Sequence, residues 1–151
     1  MKGAALFGLK PTQIIRRIIP ITIGVDSTYE KKENEEVCNG IYVSKNYEIR
    51  CHEYIIFTQR RQSIDINEII KHRIYPIDEN IIIYYSYEEE ISEENMKELG
   101  YIILPINEIP LYKRKLYLSM KFSNYINVTL IDENLGEQNS ILLSYPKNNF
   151  F

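Results

Sequence analysis

Two cysteines, Cys38 and Cys51, and two histidines, His52 and His72, are the residues of this 151-residue chain best suited to nucleophilic or metal chemistry. A thiol becomes a nucleophile when a neighbouring histidine takes its proton. Cys51 or Cys38 with His52 or His72 could form such a pair, but nothing in the spacing recommends one. Cys51 and His52 are adjacent on an expected strand, where successive side chains point to opposite faces. Zinc asks for about four Cys, His or carboxylate ligands at workable spacing, and Cys38 and His72 are distant in sequence. The plain reading is two free thiols of an intracellular protein and two surface histidines, with one disulfide of a secreted protein as the alternative. Carboxylates are plentiful, yet Glu88 to Glu90 and Glu93-Glu94 fall in a hydrophilic run where burial would not raise a pKa. The six glycines are dispersed and form neither a Walker loop nor a dinucleotide fingerprint. From its residues alone, the chain is expected to carry no catalytic, metal-binding or cofactor-binding side chains.

Charge and length narrow the class further. The net charge is −3, and the basic groups are scattered over Arg16-Arg17, Arg60-Arg61, Lys71 to Arg73 and Lys113 to Lys115. A phosphate-binding surface would gather them on one side with stacking aromatics between, so nucleic acid is not an expected partner. No apolar run approaches the ~20 residues of a membrane helix, and no small-residue cleavage site follows residues 1–9. A membrane is therefore not an expected partner either, and the expected location is cytoplasmic. A chain of 151 residues, 44% of them hydrophobic, suits one domain with a real core.

The elements are read from apolar spacing. Leu116, Leu118, Met120 and Phe122 alternate with polar or amphipathic residues, then Ile126, Val128 and Leu130, then Ile141, Leu143 and Tyr145. Period-two patterning means strands with one buried and one wet face. Three such runs joined by short polar turns predict an antiparallel meander that a second layer must cover. Further strands are expected over 19–25, 40–43, 48–57, 73–77, 80–87 and 101–104, while 64–70 reads equally as an edge strand or a turn. Residues 26–39 and 88–98 read as polar surface connections, the second with one helical turn over 92–99. Residues 1–9 read as a short helix that lacks an N-cap and ends before Lys10-Pro11. The expected fold is thus mainly β, an antiparallel β-sandwich of two sheets with a short N-terminal helix.

The order of segments carries a resemblance. Lys2 to Leu9 followed by Lys10-Pro11, the basic pair Arg16-Arg17 and the run Pro20-Ile21-Thr22-Ile23-Gly24-Val25 come first. Leu99-Gly100-Tyr101 through Pro105, Ile109-Pro110, Leu118 to Phe122 and Val128-Thr129-Leu130-Ile131-Asp132 through Gly136-Glu137 follow. Taken in this order, over nearly the whole chain, the segments resemble the seventy-kilodalton heat-shock chaperone family. The likeness is greatest to a divergent branch of animals and fungi. It comes from several weak matches at near-correct distances, with no single strong motif.

The resemblance implies three parts. Residues 1–18 would be a remnant of the last helix of an actin-like ATPase domain with its linker. Residues 19–146 would be a substrate-binding-like β-sandwich, and 147–151 a frayed tail. The chain would then be truncated, with ATP and magnesium belonging to the missing upstream domain of a full-length member. In that family, loops of the sandwich grip an extended apolar peptide, and the matching pocket positions are Val25, Tyr75, Ile82, Tyr84 and Leu118. These five residue types fit a plain sandwich core equally well. Two departures stand out: the insertion over 26–39 replaces a short turn, and Tyr84 puts a ring where a small aliphatic would leave room. The α-helical lid that family members carry after the sandwich is also lacking. The implied function is weak, non-catalytic binding of extended apolar peptides. The alternative is a regulatory module that docks on an ATPase domain through residues 14–19 and no longer captures peptides.

Overall fold

The computed structural model describes residues 15–31, 41–43, 49–105 and 108–147. Eleven strands form among them: β1 (Arg16–Ile18), β2 (Thr22–Glu30), β3 (Ile41–Val43), β4 (Ile49–Thr58), β5 (Ser63–Asp65), β6 (Ile69–Ile74), β7 (Asn80–Ser86), β8 (Lys97–Ile103), β9 (Leu116–Phe122), β10 (Ile126–Asp132) and β11 (Glu137–Leu143). All pairings are antiparallel. One sheet has the order β11-β10-β9-β6, a second β3-β4-β2-β7-β8, and β1 and β5 make a two-stranded ribbon. The molecule is mainly β, with the two larger sheets arranged as a sandwich. The helix expected over residues 1–9 lies outside the described residues, as does most of the expected tail.

The C-terminal meander forms where its alternation places it. Leu116, Leu118, Met120 and Phe122 of β9 and Ile126, Val128 and Leu130 of β10 are buried. Ile141, Leu143 and Tyr145 pack against the same cluster. The facing layer supplies Ile23, Val25, Phe57, Ile81, Ile83 and Ile102. Burying side chains of this size contributes roughly 1.5–3 kcal/mol each, and this core is what holds the two layers together. Gly136 has φ +67° and lets the chain reverse between β10 and β11, a conformation that costs glycine little.

Polar chemistry fastens one end of the sandwich. Arg114 and Asp132 are both buried, and Arg114 donates to Asp132 Oδ2 from Nη2 at 2.6 Å and from Nε at 3.1 Å. Arg114 Nη1 also donates to the Pro105 carbonyl at 3.2 Å. The second carboxylate oxygen accepts the amides of Asn134 and Leu135, which shapes the turn after β10. Each buried charge is thus paired and hydrogen-bonded, the condition under which burial is tolerated.

Several expectations are corrected. The first strand does not stop at Val25 but runs on through Glu30. Its polar residues find partners there: Thr28 Oγ1 donates to the Tyr75 carbonyl and accepts from Arg50 Nε, and Asp26 meets His52. The 64–70 stretch is neither one strand nor one turn; β5 ends at Asp65, and β6 begins at Ile69. The strand expected to open at Tyr101 begins at Lys97, so the turn expected over 92–99 is confined to 92–96, where the Asn95 and Met96 amides donate to the Ser92 carbonyl. Cys51 is disulfide-bonded and not a free thiol. Cys38 is its sole candidate partner within the chain and lies outside the described residues. Disulfides persist in oxidising compartments, unlike the free thiols first expected. Residues 16–18, read as linker, pair with β5 and bind the sandwich through Arg17, which donates to the Ser123 carbonyl and lies 4.7 Å from the Tyr145 ring centre.

Candidate binding face

The outer faces of the two large sheets differ in chemistry. On the four-stranded sheet, registers align Lys71, Ser119, Thr129 and Ser140 in one row, a wet surface in which Thr129 and Ser140 share a 2.9 Å hydrogen bond. On the five-stranded sheet, the corresponding rows hold Ile56, Gly24 and Tyr84, then Tyr54 and Asp26, then Ile82 and Tyr101. β7 shows why: Ile81 and Ile83 are buried against the core, so Ile82 and Tyr84 point the other way. A sheet whose strands are apolar toward both faces is ordinarily covered on both. Tyr101 and Ile103 on β8 remain 55% and 57% exposed.

A polar group interrupts this apolar face. His52 Nε2 lies 2.6 Å from Asp26 Oδ1, and the two side chains are 11% and 25% exposed. Facing an ionised carboxylate, which can only accept, Nε2 carries the proton. Tyr54 meets the imidazole edge to face, with ring centres 4.5 Å apart. Partial burial, then the charge of Asp26 and hydrogen bonding to it, push the Tyr84 hydroxyl up to about 12. His52 is therefore a hydrogen-bonded residue of the sheet and not the free surface histidine expected. Among the described residues no three His, Cys, Asp or Glu side chains converge as a metal site would need.

The Tyr84 shift has a measurable consequence. Below its ordinary value of 10.0 the phenol is neutral in folded and unfolded chains alike. Between 10.0 and about 12 the unfolded chain gives up the proton while the folded chain keeps it. The folded state then binds more protons, so stability falls as pH rises through that window. Tyr84→Phe is expected to flatten this alkaline loss, read from urea midpoints across the same range. An unchanged pH dependence would show that burial beside Asp26 does not raise the Tyr84 hydroxyl.

The five residues expected to line a peptide pocket do not converge. Val25 and Leu118 are fully buried members of the core cluster. Ile82 and Tyr84 share the outer face of the five-stranded sheet. Tyr75 stands where the chain leaves β6, its ring 5.2 Å from the Arg50 guanidinium and 4.9 Å from that of Arg73. Its carbonyl and amide are tied to Thr28 and Ser27. Asp26, His52, Tyr54, Ile56 and Gly24 were not among the expected site residues. The signal was present in the run Ile81 to Tyr85, whose unbroken apolar character marks a strand covered on both sides.

One further element completes the face. Ile91, in the connection between β7 and β8, is 9% exposed although its neighbours Glu89, Glu90, Glu93 and Glu94 are open to solvent. A Cβ built on Gly24 would meet Ile91 Cδ1 at 2.7 Å and Ile56 Cδ1 at 3.1 Å. Gly24 therefore floors a seat for an aliphatic side chain, and Ile91 sits in it. A separate cavity of about 260 Å³ lies between Leu104, Pro105 and Leu130 on one side and Glu137 and Gln138 on the other. It falls below the ~300 Å³ at which ligand pockets usually begin, and Asp132 in its wall is already satisfied by Arg114.

Among the described residues no helix is long and apolar enough to cross a membrane, which says nothing of a β-barrel. No protein-family model matches the chain, and no curated protein matches it.

Proposed function

We propose that this chain is a non-catalytic, chaperone-like β-sandwich that binds extended apolar peptide segments weakly, on the outer face of its five-stranded sheet. The observation that carries the reading is the Gly24 seat. It accepts an isoleucine side chain delivered from outside the sheet, which is the task an apolar peptide would set it. Ile56, Ile82, Tyr54 and Tyr84 border the seat and would bury the flanking peptide side chains. Recognition of this kind combines backbone hydrogen bonds to an extended segment with pockets for alternate side chains. The resemblance of the sequence to the seventy-kilodalton heat-shock chaperones supports the same reading. In that family the nucleotide machinery, with its ATP and magnesium, belongs to a domain upstream of the sandwich, and the proposed capture rests on the sandwich alone.

The test is a titration of the purified chain with a fluorescent apolar peptide, followed by anisotropy. Saturable binding that weakens in Tyr84→Ala is expected. Absence of saturation at high micromolar protein would refute peptide capture.

A second reading is a module that docks on an ATPase domain. It is favoured by Ile15 and Ile18, which are 60% and 68% exposed on a ribbon that Arg16 closes through Ser63 and Arg17 fastens to the sandwich. Replacing both isoleucines with serine separates the readings, since it abolishes docking and leaves peptide affinity unchanged.

A further inference from the structure

Residues 87–96 form an anchored strap. Arg60 Nη1 donates to the Tyr87 carbonyl at 2.6 Å and Thr22 Oγ1 to the Glu88 carbonyl at 2.5 Å, fixing the strap where it leaves β7. Beyond that base, the segment is closed chiefly by one residue. Asn95 Nδ2 donates to Glu88 Oε2 at 2.9 Å and to the Glu90 carbonyl at 3.0 Å, while its Oδ1 accepts the Ser92 amide. Ile91 is the buried residue of this acidic strap, and it is held by the seat over Gly24.

We infer that the strap is an autoinhibitory gate: Ile91 occupies the seat that an apolar side chain of the peptide takes, and the strap must lift before peptide binds. This rests on the reading of the outer face as the peptide site. The geometry allows one aliphatic group at a time, because Ile91 and Ile56 already crowd the position above Gly24. Lifting the strap exposes the side chain of Ile91. Its base stays fixed by Arg60 and Thr22, and the bonds of Asn95 run only to other residues of the strap, the two from Nδ2 being exposed and replaceable by water. Local openings of this kind lie at the low end of a protein's stability range. A site that is open for only a fraction of the time binds with an apparent affinity reduced by that fraction. Weak capture by the intact chain is then a property of the gate as well as of the face.

Two variants act on the gate from different sides. Ile91→Ser removes the occupant, and Asn95→Ala unties the strap without touching the seat. Each is titrated with a fluorescein-labelled extended peptide carrying one central leucine among serines, alongside the unaltered chain, with folding checked by circular dichroism. Both variants are expected to tighten binding about tenfold. Equal affinity in all three proteins would leave peptide capture standing and overturn the gate. Weaker binding by Ile91→Ser would also overturn it, since Ile91 would then belong to the binding surface. No binding by any of the three would overturn the capture reading and the gate together.

Discussion

Asp132→Ala is expected to lower the stability of the sandwich by about 3–5 kcal/mol, because it strands a buried guanidinium without its counter-charge. Arg114 is 2% exposed and Asp132 4%, so water reaches neither group to compensate. The same change frees the amides of Asn134 and Leu135, which shape the turn into β11. For a domain with a total stability of roughly 5–15 kcal/mol, this loss is a large share. Urea unfolding followed by circular dichroism gives the midpoint. The mechanism is checked by Arg114→Met combined with Asp132→Leu. Removing both charges eliminates the unpaired ion, so the double variant is expected to recover most of the loss. A double variant as unstable as Asp132→Ala would mean that lost packing, and not the orphaned charge, sets the cost.

Leu118→Ala carries the second large effect, about 2–5 kcal/mol, from lost burial and the cavity left between β9 and its neighbours. Leu118 is fully buried and joins the same cluster as Val25. It cannot reach a ligand on the far side of the five-stranded sheet. Leu118→Ala is therefore expected to leave peptide affinity unchanged wherever the protein remains folded. Tyr84→Ala should show the opposite signature, with a stability change of about 1 kcal/mol or less and weakened peptide binding. Thermal unfolding and anisotropy on both variants check the pair. Loss of peptide binding in Leu118→Ala at a temperature where it is fully folded would place the ligand inside the sandwich instead.

How much was legible in the chain follows from which residues carry a periodic signal. The meander of β9, β10 and β11 was plain because each strand has one wet face, so every second residue declares its side. β7 was legible as a strand, but its unbroken apolar run hid which residues faced the core and which faced outward. Val25 and Leu118, in the interior, stand with Ile82 and Tyr84, on the outer surface, only because the resemblance implies all five pocket positions; no apolar pattern in the chain groups them. β2 is longer than its sequence suggests because Asp26, Ser27 and Thr28 read as the start of a polar surface connection; their partners Arg50, His52 and Tyr75 lie between 22 and 48 positions away along the chain. The seat over Gly24 needs an isoleucine from a connection that looks solvated by composition. No local pattern in the sequence announces that encounter.

The placement of β6 has a bearing on synthesis. This strand comes from the amino-terminal half of the domain, yet Ile69 pairs with Lys121 and Ile74 with Leu116 in the sheet completed last. Its ladder stays empty until residues near 122 have left the ribosome, and the apolar flanks of β2, β4 and β7 wait with it. Long-range pairing of this sort slows folding and prolongs exposure of sticky intermediates. Nascent chains arrested after residue 113 should consequently be digested by protease far faster than chains released in full; equal resistance would show that the first half closes unaided. The first half of the domain would then need shelter while the second half is being made.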